Sequence, residues 1–399
     1  MEGLTVKEAN KYETICEVLN GYMKVKKATE SLGLSERQIY RLKKRVRQEG
    51  ARGVIHRSRG KSRARRLTQE IKERIVEFYG GKYDGFNISH MTEYLNRDES
   101  IRVSRESVRK ILLADGSYTR VKKRKGHRER REPCAREGQM IQFDTSDHDW
   151  LEGRGPGKLY LIGGIDDATS MCVGAHFALS DSTVENMRVL KCIIETKGIP
   201  LSIYCDGDSK FKTTRHQGVH YNLKNDYGET QIGRALEELG VRLIIAGSAE
   251  AKGRVERAWG TFQDRLCSEL RLYKISTLEE ANHYLIEQFI PGYNKKFSRC
   301  AREEGDAYRQ LRKNIDLNNI FCIKEERKAI SDNTISYYSR IFQILPDKYR
   351  ISYVKAKVIV HQHLDSSIHI FYKARELKQK EIFTRMIKKK EGRLTTVKY

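Results

Sequence analysis

The sequence predicts a multidomain chain with three kinds of architecture. All-α helix-turn-helix modules come first, then a central α/β core on a mixed five-stranded sheet, then a small β-barrel. Three observations predict this. Apolar spacing is helical as far as residue 115, switches between strand and helix over 138–275, and alternates with period two from 331 onward. A length of 399 residues exceeds one compact core of usual size. The net charge of +24 repels itself unless a polyanion neutralises it, which makes nucleic acid the leading partner.

The composition, 33% charged and 38% hydrophobic, is that of a globular chain with a polar surface. No apolar run approaches membrane-spanning length, and the opening MEGLTVKEANKYETI has no apolar h-region, so neither a membrane nor a secretory route is expected. The eight cysteines are scattered and form no CxxC, which argues for reduced thiols in a cytoplasmic protein.

Residues 1–55 read as a helix-turn-helix domain. Ile15, Val18 and Leu19 form one apolar face; Val25, Ala28 and Leu32 form a second, closed by Gly33. Ser35 and Gln38 make a capping box at the start of the next helix. Ile39 and Leu42 point inward there, leaving Arg37, Gln38, Arg41 and Lys44 on an outer face suited to DNA. A basic linker follows at 56–66, HRSRGKSRARR, then a second helix-turn-helix over 67–115 with Ser104 as an N-cap. A second cationic linker, 116–137, is expected to lie along phosphates.

The α/β core is expected over 138–275. QMIQFDTS is a strand ending in Asp144; KLYLIGGIDDAT and MCVGAHFAL are the second and third strands. A helix with Met187, Leu190, Ile193 and Ile194 on one face precedes LSIYCDGD, a fourth strand ending at Asp206. VRLIIAG is the fifth strand, and KGRVERAWGTFQDRL opens the next helix with Glu256 among cations. A helical connection over 276–330 leads to the barrel and basic tail at 331–399.

If the first strand lies beside the fourth, Asp144, Asp206 and Glu256 converge at one sheet edge. Three carboxylates that close repel one another unless divalent cations neutralise them. Oxygen donors suit Mg²⁺ or Mn²⁺, and two such ions activate a nucleophile and stabilise a leaving oxygen in phosphodiester cleavage. Lys252, Arg254 and Arg257 would then hold the substrate backbone. By residue type alone, Asp166, Asp167 and Asp208 compete for the same role.

The stretches QFDTSDHDWLEGRGP, IDDATS, YCDGDSKF, TQIGRALEELGV and SAEAKGRVERAWGTFQDRL together resemble an insertion-sequence transposase of the ISNCY type. That group lies in the DDE superfamily with a retroviral-integrase-like core. The N-terminal LSERQIYRLKKRVRQEGARGVIHRSRGK and the region 321–372 resemble the family's terminal parts. The resemblance implies an RNase H-like core in which Asp144, Asp206 and Glu256 are the catalytic and metal-binding acids, with two Mg²⁺ or Mn²⁺ ions. It places Glu250 in a loop and makes Asp166 and Asp167 structural or substrate-edge residues. Asp208 and Trp259 depart from its pattern, standing where a His and an Asn are expected.

The implied activity is hydrolysis of one strand at each element end, followed by attack of the exposed 3′-OH on target DNA. The implied partners are double-stranded DNA, as terminal inverted repeats and as target, and further copies of the chain in a dimer or larger synaptic assembly. The implied setting is the prokaryotic cytoplasm, at the nucleoid. Two rivals are a non-catalytic DNA-binding regulator and an RNase H-like nuclease that cleaves without joining.

Overall fold

The computed structural model describes residues 4–59, 67–119, 131–212, 230–247 and 253–382. The chain divides into two units, Met1–Arg74 and Ile75–Tyr399.

In the first unit α1 (Val6–Leu19) starts at Thr5, whose amide donates to the Glu8 carboxylate at 2.9 Å. α2 (Val25–Leu32) ends at Gly33, where φ is +61°, a left-handed conformation that glycine adopts without a Cβ penalty. α3 (Glu36–Glu49) begins as expected: the Ser35 amide donates to the Gln38 carboxamide at 2.9 Å. A 3₁₀ turn, Gly50–Val54, folds back on α3. Ile15, Val18, Ala28, Ile39, Val46 and Val54 form the core, each buried Ile or Val side chain contributing about 1.5–3 kcal/mol of transfer free energy.

α4 (Gln69–Gly80) crosses the boundary between units. α5 (Ile88–Arg97) is capped by Asn87, which accepts from the His90 amide at 2.8 Å, and α6 (Arg105–Asp115) by Ser104. Then come β1 (Ile141–His148), β2 (Leu159–Asp166), β3 (Cys172–Ala178), α7 (Thr183–Lys197), β4 (Ser202–Cys205), α8 (Gln231–Glu238) and β5 (Arg242–Ile245). The strands form one mixed sheet in the order β3-β2-β1-β4-β5. β1, β2 and β3 are antiparallel neighbours, while β4 runs parallel to both β1 and β5. The first strand therefore lies beside the fourth.

Alternation along β1 separates the two faces of the sheet. Ile141 and Phe143 join Leu190, Ile193 and Leu236 in a core under α7 and α8. The other face packs against α9 (Gly253–Leu272), α10 (Leu278–Tyr284) and α11 (Ile290–Phe297), with a π-helical turn, Leu285–Phe289, between the last two. Two boundaries differ from expectation. β1 continues past Asp144 to His148, because Thr145 and Ser146 pair with Ile162 and Leu161 despite their polarity. The helices after 276 bury Ala281, Leu285, Phe289 and Tyr293 against the sheet, so they complete a layer of the core.

The C-terminal region corrects a further expectation, the small β-barrel. After α12 (Leu317–Ile320) come β6 (Ile323–Lys328), β7 (Thr334–Tyr337), β8 (Arg340–Ile344), β9 (Lys357–Gln362), β10 (Ile368–Tyr372), β11 (Arg375–Leu377) and β12 (Gln379–Ile382). They form two open sheets, β11-β10-β9-β6 and β12-β8-β7, and no closed barrel. The two sheets share a core of Ile335, Tyr337, Phe342, Val358, Val360 and Ile370, so burial is achieved by facing rather than by closure. β6, IKEERK, has too few apolar residues to announce itself as a strand. The basic tail from 383 lies outside the described residues.

All eight cysteines are free. Among the described residues no helix is long and apolar enough to cross a membrane.

Candidate active site

β1 and β4 are in register as Ile141↔Ile203 and Gln142↔Tyr204. Two residues further along each chain stand Asp144 and Asp206. The two aspartates thus follow the last paired positions of adjacent parallel strands, at the same end of the sheet. Both are half-buried.

Asp144 sits under α9. Gln142 and Ser146, its neighbours on the same face, are each tied to that helix. The Val255 amide donates to the Gln142 carboxamide at 3.1 Å, and the Gln263 side chain donates to Ser146 Oγ at 3.0 Å. Glu256 is exposed in the first turn of α9, one residue beyond the Val255 contact. The antiparallel neighbour of Asp144 is Gly163, which leaves room beside the carboxylate. A Cβ at 163 would lie 2.7 Å from Ala175 Cβ and 2.8 Å from the Gly174 carbonyl, so β3 requires glycine there.

The turn after β4 is also held. The Asp208 amide donates to Asp206 at 3.2 Å, and Lys210 Nζ lies 2.7 Å from Asp181 and 3.1 Å from Asp208. Thr145 donates to the same Asp181 at 3.1 Å, which couples this turn to β1. Burial disfavours the Lys210 ammonium, but Asp181 and Asp208 outweigh it and hold its pKa above the usual value. Burial pushes the Asp208 carboxyl up, yet the Lys210 amide and ammonium draw it below its ordinary range. Asp208 thus serves the turn.

Asp166 and Asp167 are both fully buried. Burial pushes the Asp166 carboxyl up, opposed by bonds from the Gly138, Thr169 and Ala168 amides and the Thr169 hydroxyl. Asp167 accepts from Gln142 at 2.7 Å, Arg254 at 2.8 Å, the Cys134 amide at 2.8 Å and Arg131. Arg254 therefore turns inward: its side chain is 11% exposed, and its second nitrogen donates to the Arg131 carbonyl at 3.0 Å. Burial lowers its pKa, against the pull of Asp167. The expected contact to the DNA backbone would have to compete with these protein partners. Likewise, residues 131–136 of the expected phosphate-bound linker are held by protein, at Asp167 and Glu303.

Arg257 is exposed and donates to the Gly253 carbonyl at 2.7 Å. Lys252 and Glu250 lie outside the described residues. In the first unit Arg37, Gln38, Arg41 and Lys44 are all exposed on α3, with the Gln38 oxygen taken by the helix cap. Trp259 is buried beside Phe262. Among the described residues no three His, Cys, Asp or Glu side chains stand close enough together to hold a metal ion. The donor chemistry of Asp144, Asp206 and Glu256, all hard oxygen ligands, suits Mg²⁺ or Mn²⁺. A cavity of ≈ 630 Å³ lies elsewhere, between α5 and α9–α11, and none of the three acids lines it.

Sequence reasoning missed Gln142 and the coupling through Asp167. A glutamine flanked by Ile141 and Phe143 in an apolar strand was the available signal, since a buried amide needs partners.

Residues 12–73 match the winged helix-turn helix family. No strand occurs among the described residues of that stretch. The protein y4bF of Sinorhizobium fredii, provisionally named a transposase, is 29% identical over 94% of this chain and 80% of its own length. The transposase for insertion sequence IS1202 of Streptococcus pneumoniae is 29% identical over 95% of this chain and 88% of its own. Among solved structures, the HTLV-2 integrase catalytic core domain in complex with magnesium matches 38% of this chain and 86% of its own, at 16% identity and a TM-score of 0.28. The simian T-cell lymphotropic virus intasome in complex with the PP2A regulatory subunit B56 gamma matches 78% of this chain and 100% of its own, at 11% identity and a TM-score of 0.32. Likenesses that slight carry no weight beside the strand order itself. Along nearly its whole length this chain is similar to proteins named as transposases, one of them from an insertion sequence.

Proposed function

We propose that the protein is a DNA transposase of the DDE type, with Asp144, Asp206 and Glu256 as its catalytic acids. One observation carries this reading: β1 and β4 pair in parallel just before Asp144 and Asp206, and the helix tied to β1 bears Glu256 in its first turn. The similarity to transposases over most of the chain supports it.

In this reading the three carboxylates would hold two Mg²⁺ or Mn²⁺ ions. When bound, such ions activate an attacking oxygen and stabilise the leaving one. The chain's own part is to fix the acids in place and to hold DNA across them. In the first reaction water attacks the phosphorus at an element end. The P–O3′ bond breaks, leaving a 3′-OH and a 5′-phosphate. In the second, that 3′-OH attacks a target phosphodiester, a new P–O3′ bond forms, and the displaced 3′ oxygen leaves with a proton. The exposed α3 residues Arg37, Gln38, Arg41 and Lys44 read the terminal repeats, with Gln38 offering its NH₂ because its oxygen caps the helix. Lys252 and Arg257 contact the substrate backbone near Glu256. Two element ends must be held together, so the acting form is a homodimer or larger synaptic assembly, working on DNA in the bacterial cytoplasm.

The test is a labelled terminal repeat incubated with the protein, with and without Mg²⁺. Asp144→Asn, Asp206→Asn and Glu256→Gln each abolish Mg²⁺-dependent nicking while end binding stays within about threefold, since binding comes mainly from phosphate contacts elsewhere. Retained nicking in any variant removes that residue from the site. Nicking without joining to target DNA identifies a nuclease instead, and binding without nicking by the unaltered protein identifies a regulator.

A further inference from the structure

We infer that Asp167 is a positioning residue for Glu256, acting as the clamp that fixes where α9 begins. The inference rests on the proposed role of Glu256 and concerns how that role is made possible.

The first N–H groups of a helix have no partner within it, so a helix start is free to fray unless something outside satisfies them. Here the Val255 amide is satisfied by Gln142, at 3.1 Å. The Gln142 carboxamide is oriented by its other end, which donates to Asp167 at 2.7 Å. Arg254, next to Val255 in the chain, reaches the same carboxylate at 2.8 Å. Asp167 thus grips the start of α9 twice, once through a side chain of the helix and once through β1. Arg131 and the Cys134 amide complete its shell.

The location gives this clamp its meaning. Gln142 stands two residues before Asp144, and Arg254 two residues before Glu256. One buried carboxylate therefore links the backbone segments that carry two of the three proposed metal ligands. Glu256 is exposed, and its position follows from that of the helix turn it stands on. The carboxylate at 167 is 0% exposed and faces two guanidinium groups, so its charge is matched locally. Asn at this position keeps the size and one acceptor oxygen but loses the charge opposite Arg254 and one of the acceptor sites.

A merely structural ion pair would lower stability and leave the metal site of the folded protein unchanged. A positioning clamp moves the site in protein that remains folded. The experiment compares wild type, Asp167→Asn, Glu256→Gln and the double variant Asp167→Asn/Arg254→Gln as full chains. Each is measured for Mn²⁺ affinity by calorimetry, for hydrogen exchange of the amides 254–258, and for end nicking at saturating DNA. Asp167→Asn is expected to weaken Mn²⁺ binding and slow nicking by about 10- to 100-fold, the usual cost of losing a group that orients a metal ligand. Its amides 254–258 exchange faster, while those of β2 keep their protection. The double variant removes the unmatched Arg254 charge and so recovers stability, while its Mn²⁺ affinity stays low because the clamp is still missing. If Asp167→Asn does not fold, Arg254→Gln alone takes its place with the same expectations.

Unchanged exchange at 254–258 together with unchanged Mn²⁺ affinity in the folded variant overturns the inference. If Glu256→Gln itself leaves Mn²⁺ affinity and nicking intact, the reading of Glu256 as a ligand fails. The exchange data then still decide whether Asp167 fixes the helix start.

Discussion

The Val255 amide donates to the Gln142 side chain at 3.1 Å, joining the start of α9 to the strand that carries Asp144. The bond spans 113 positions of sequence and stands in the buried interior. It turns a proximity suggested by strand order into a fixed relation between helix and sheet. Removing the Gln142 side chain leaves the buried Val255 N–H without this acceptor and takes one of four donors from Asp167.

Gln142→Leu keeps the approximate volume but removes both bonds. Unfolding in urea is expected to show a loss of about 1–3 kcal/mol in the second unit, the cost of leaving a buried donor unsatisfied. Mg²⁺-dependent nicking falls further than the loss of folded protein explains. Equal stability with equal nicking would mean that the bond does not set the site.

The helical region before the core, read from the sequence as a second helix-turn-helix, is locked onto α9. Arg265 forms a two-pronged pair with Glu93, at 2.9 and 3.0 Å, and Lys296 joins the same carboxylate. His90 meets Glu269 at 2.7 Å one helical turn away. Arg265→Ala is expected to cost about 1.5–3 kcal/mol, as for other hydrogen bonds to charged groups. Hydrogen exchange in α5 then rises, with trypsin cutting between 75 and 118 before it cuts the sheet. An unchanged exchange pattern in α5 would show that apolar packing alone holds the module.

Gly53 stands where any side chain collides with α3. A Cβ there would lie 2.7 Å from the Arg45 carbonyl carbon and 2.7 Å from the Val46 nitrogen, both backbone atoms. Gly53→Ala therefore forces the 3₁₀ turn away from α3, at a cost of about 1–3 kcal/mol. Discrimination between terminal-repeat DNA and random DNA is expected to shrink, while nonspecific binding persists. Undiminished discrimination would place sequence reading outside the first unit.

His361 gives the C-terminal sheets an acid sensitivity. Burial and the nearby Lys324, Arg234 and His363 push its pKa down to about 4, with Glu238 opposing them. The ordinary value is 6.5, so the folded state favours the neutral ring. Its contribution is fully present above pH 6.5 and is lost as pH falls toward 4, amounting to no more than about 2 kcal/mol by pH 5. Protection of the β9 amides should drop between pH 7 and pH 5 in wild type, and drop less in His361→Asn. Identical drops in the two proteins would assign the effect to other groups.

Much of the architecture was legible in the residues because local signals were strong. Gly33 and the Ser35–Gln38 pair marked helix boundaries in the first unit, and apolar runs at β2 and β3 announced central strands. Asp144 and Asp206 were legible as strand-associated acids, and the pairing of β1 with β4 followed from the topology that makes them useful. Other features depend on tertiary contact and left little trace. Arg254 looked like a surface cation because nothing near it in sequence names Asp167, which lies 87 positions away. Whether short alternating strands close into a barrel or face each other as sheets depends on edge pairing, which alternation does not encode. The docking of α5 on α9 rests on charged side chains that a periodicity argument assigns to solvent.

The central claim is that Asp144, Asp206 and Glu256 share one pair of divalent cations. Its most direct test loads the protein with Fe²⁺ in place of Mg²⁺ and adds peroxide and ascorbate, so that radicals cut the backbone beside the bound metal. The account predicts cuts clustered near 144, 206 and 256, suppressed by excess Mg²⁺ and lost at all three places in Asp144→Asn. Cuts confined to one of these segments, or clustered around other acids and indifferent to that substitution, would contradict it.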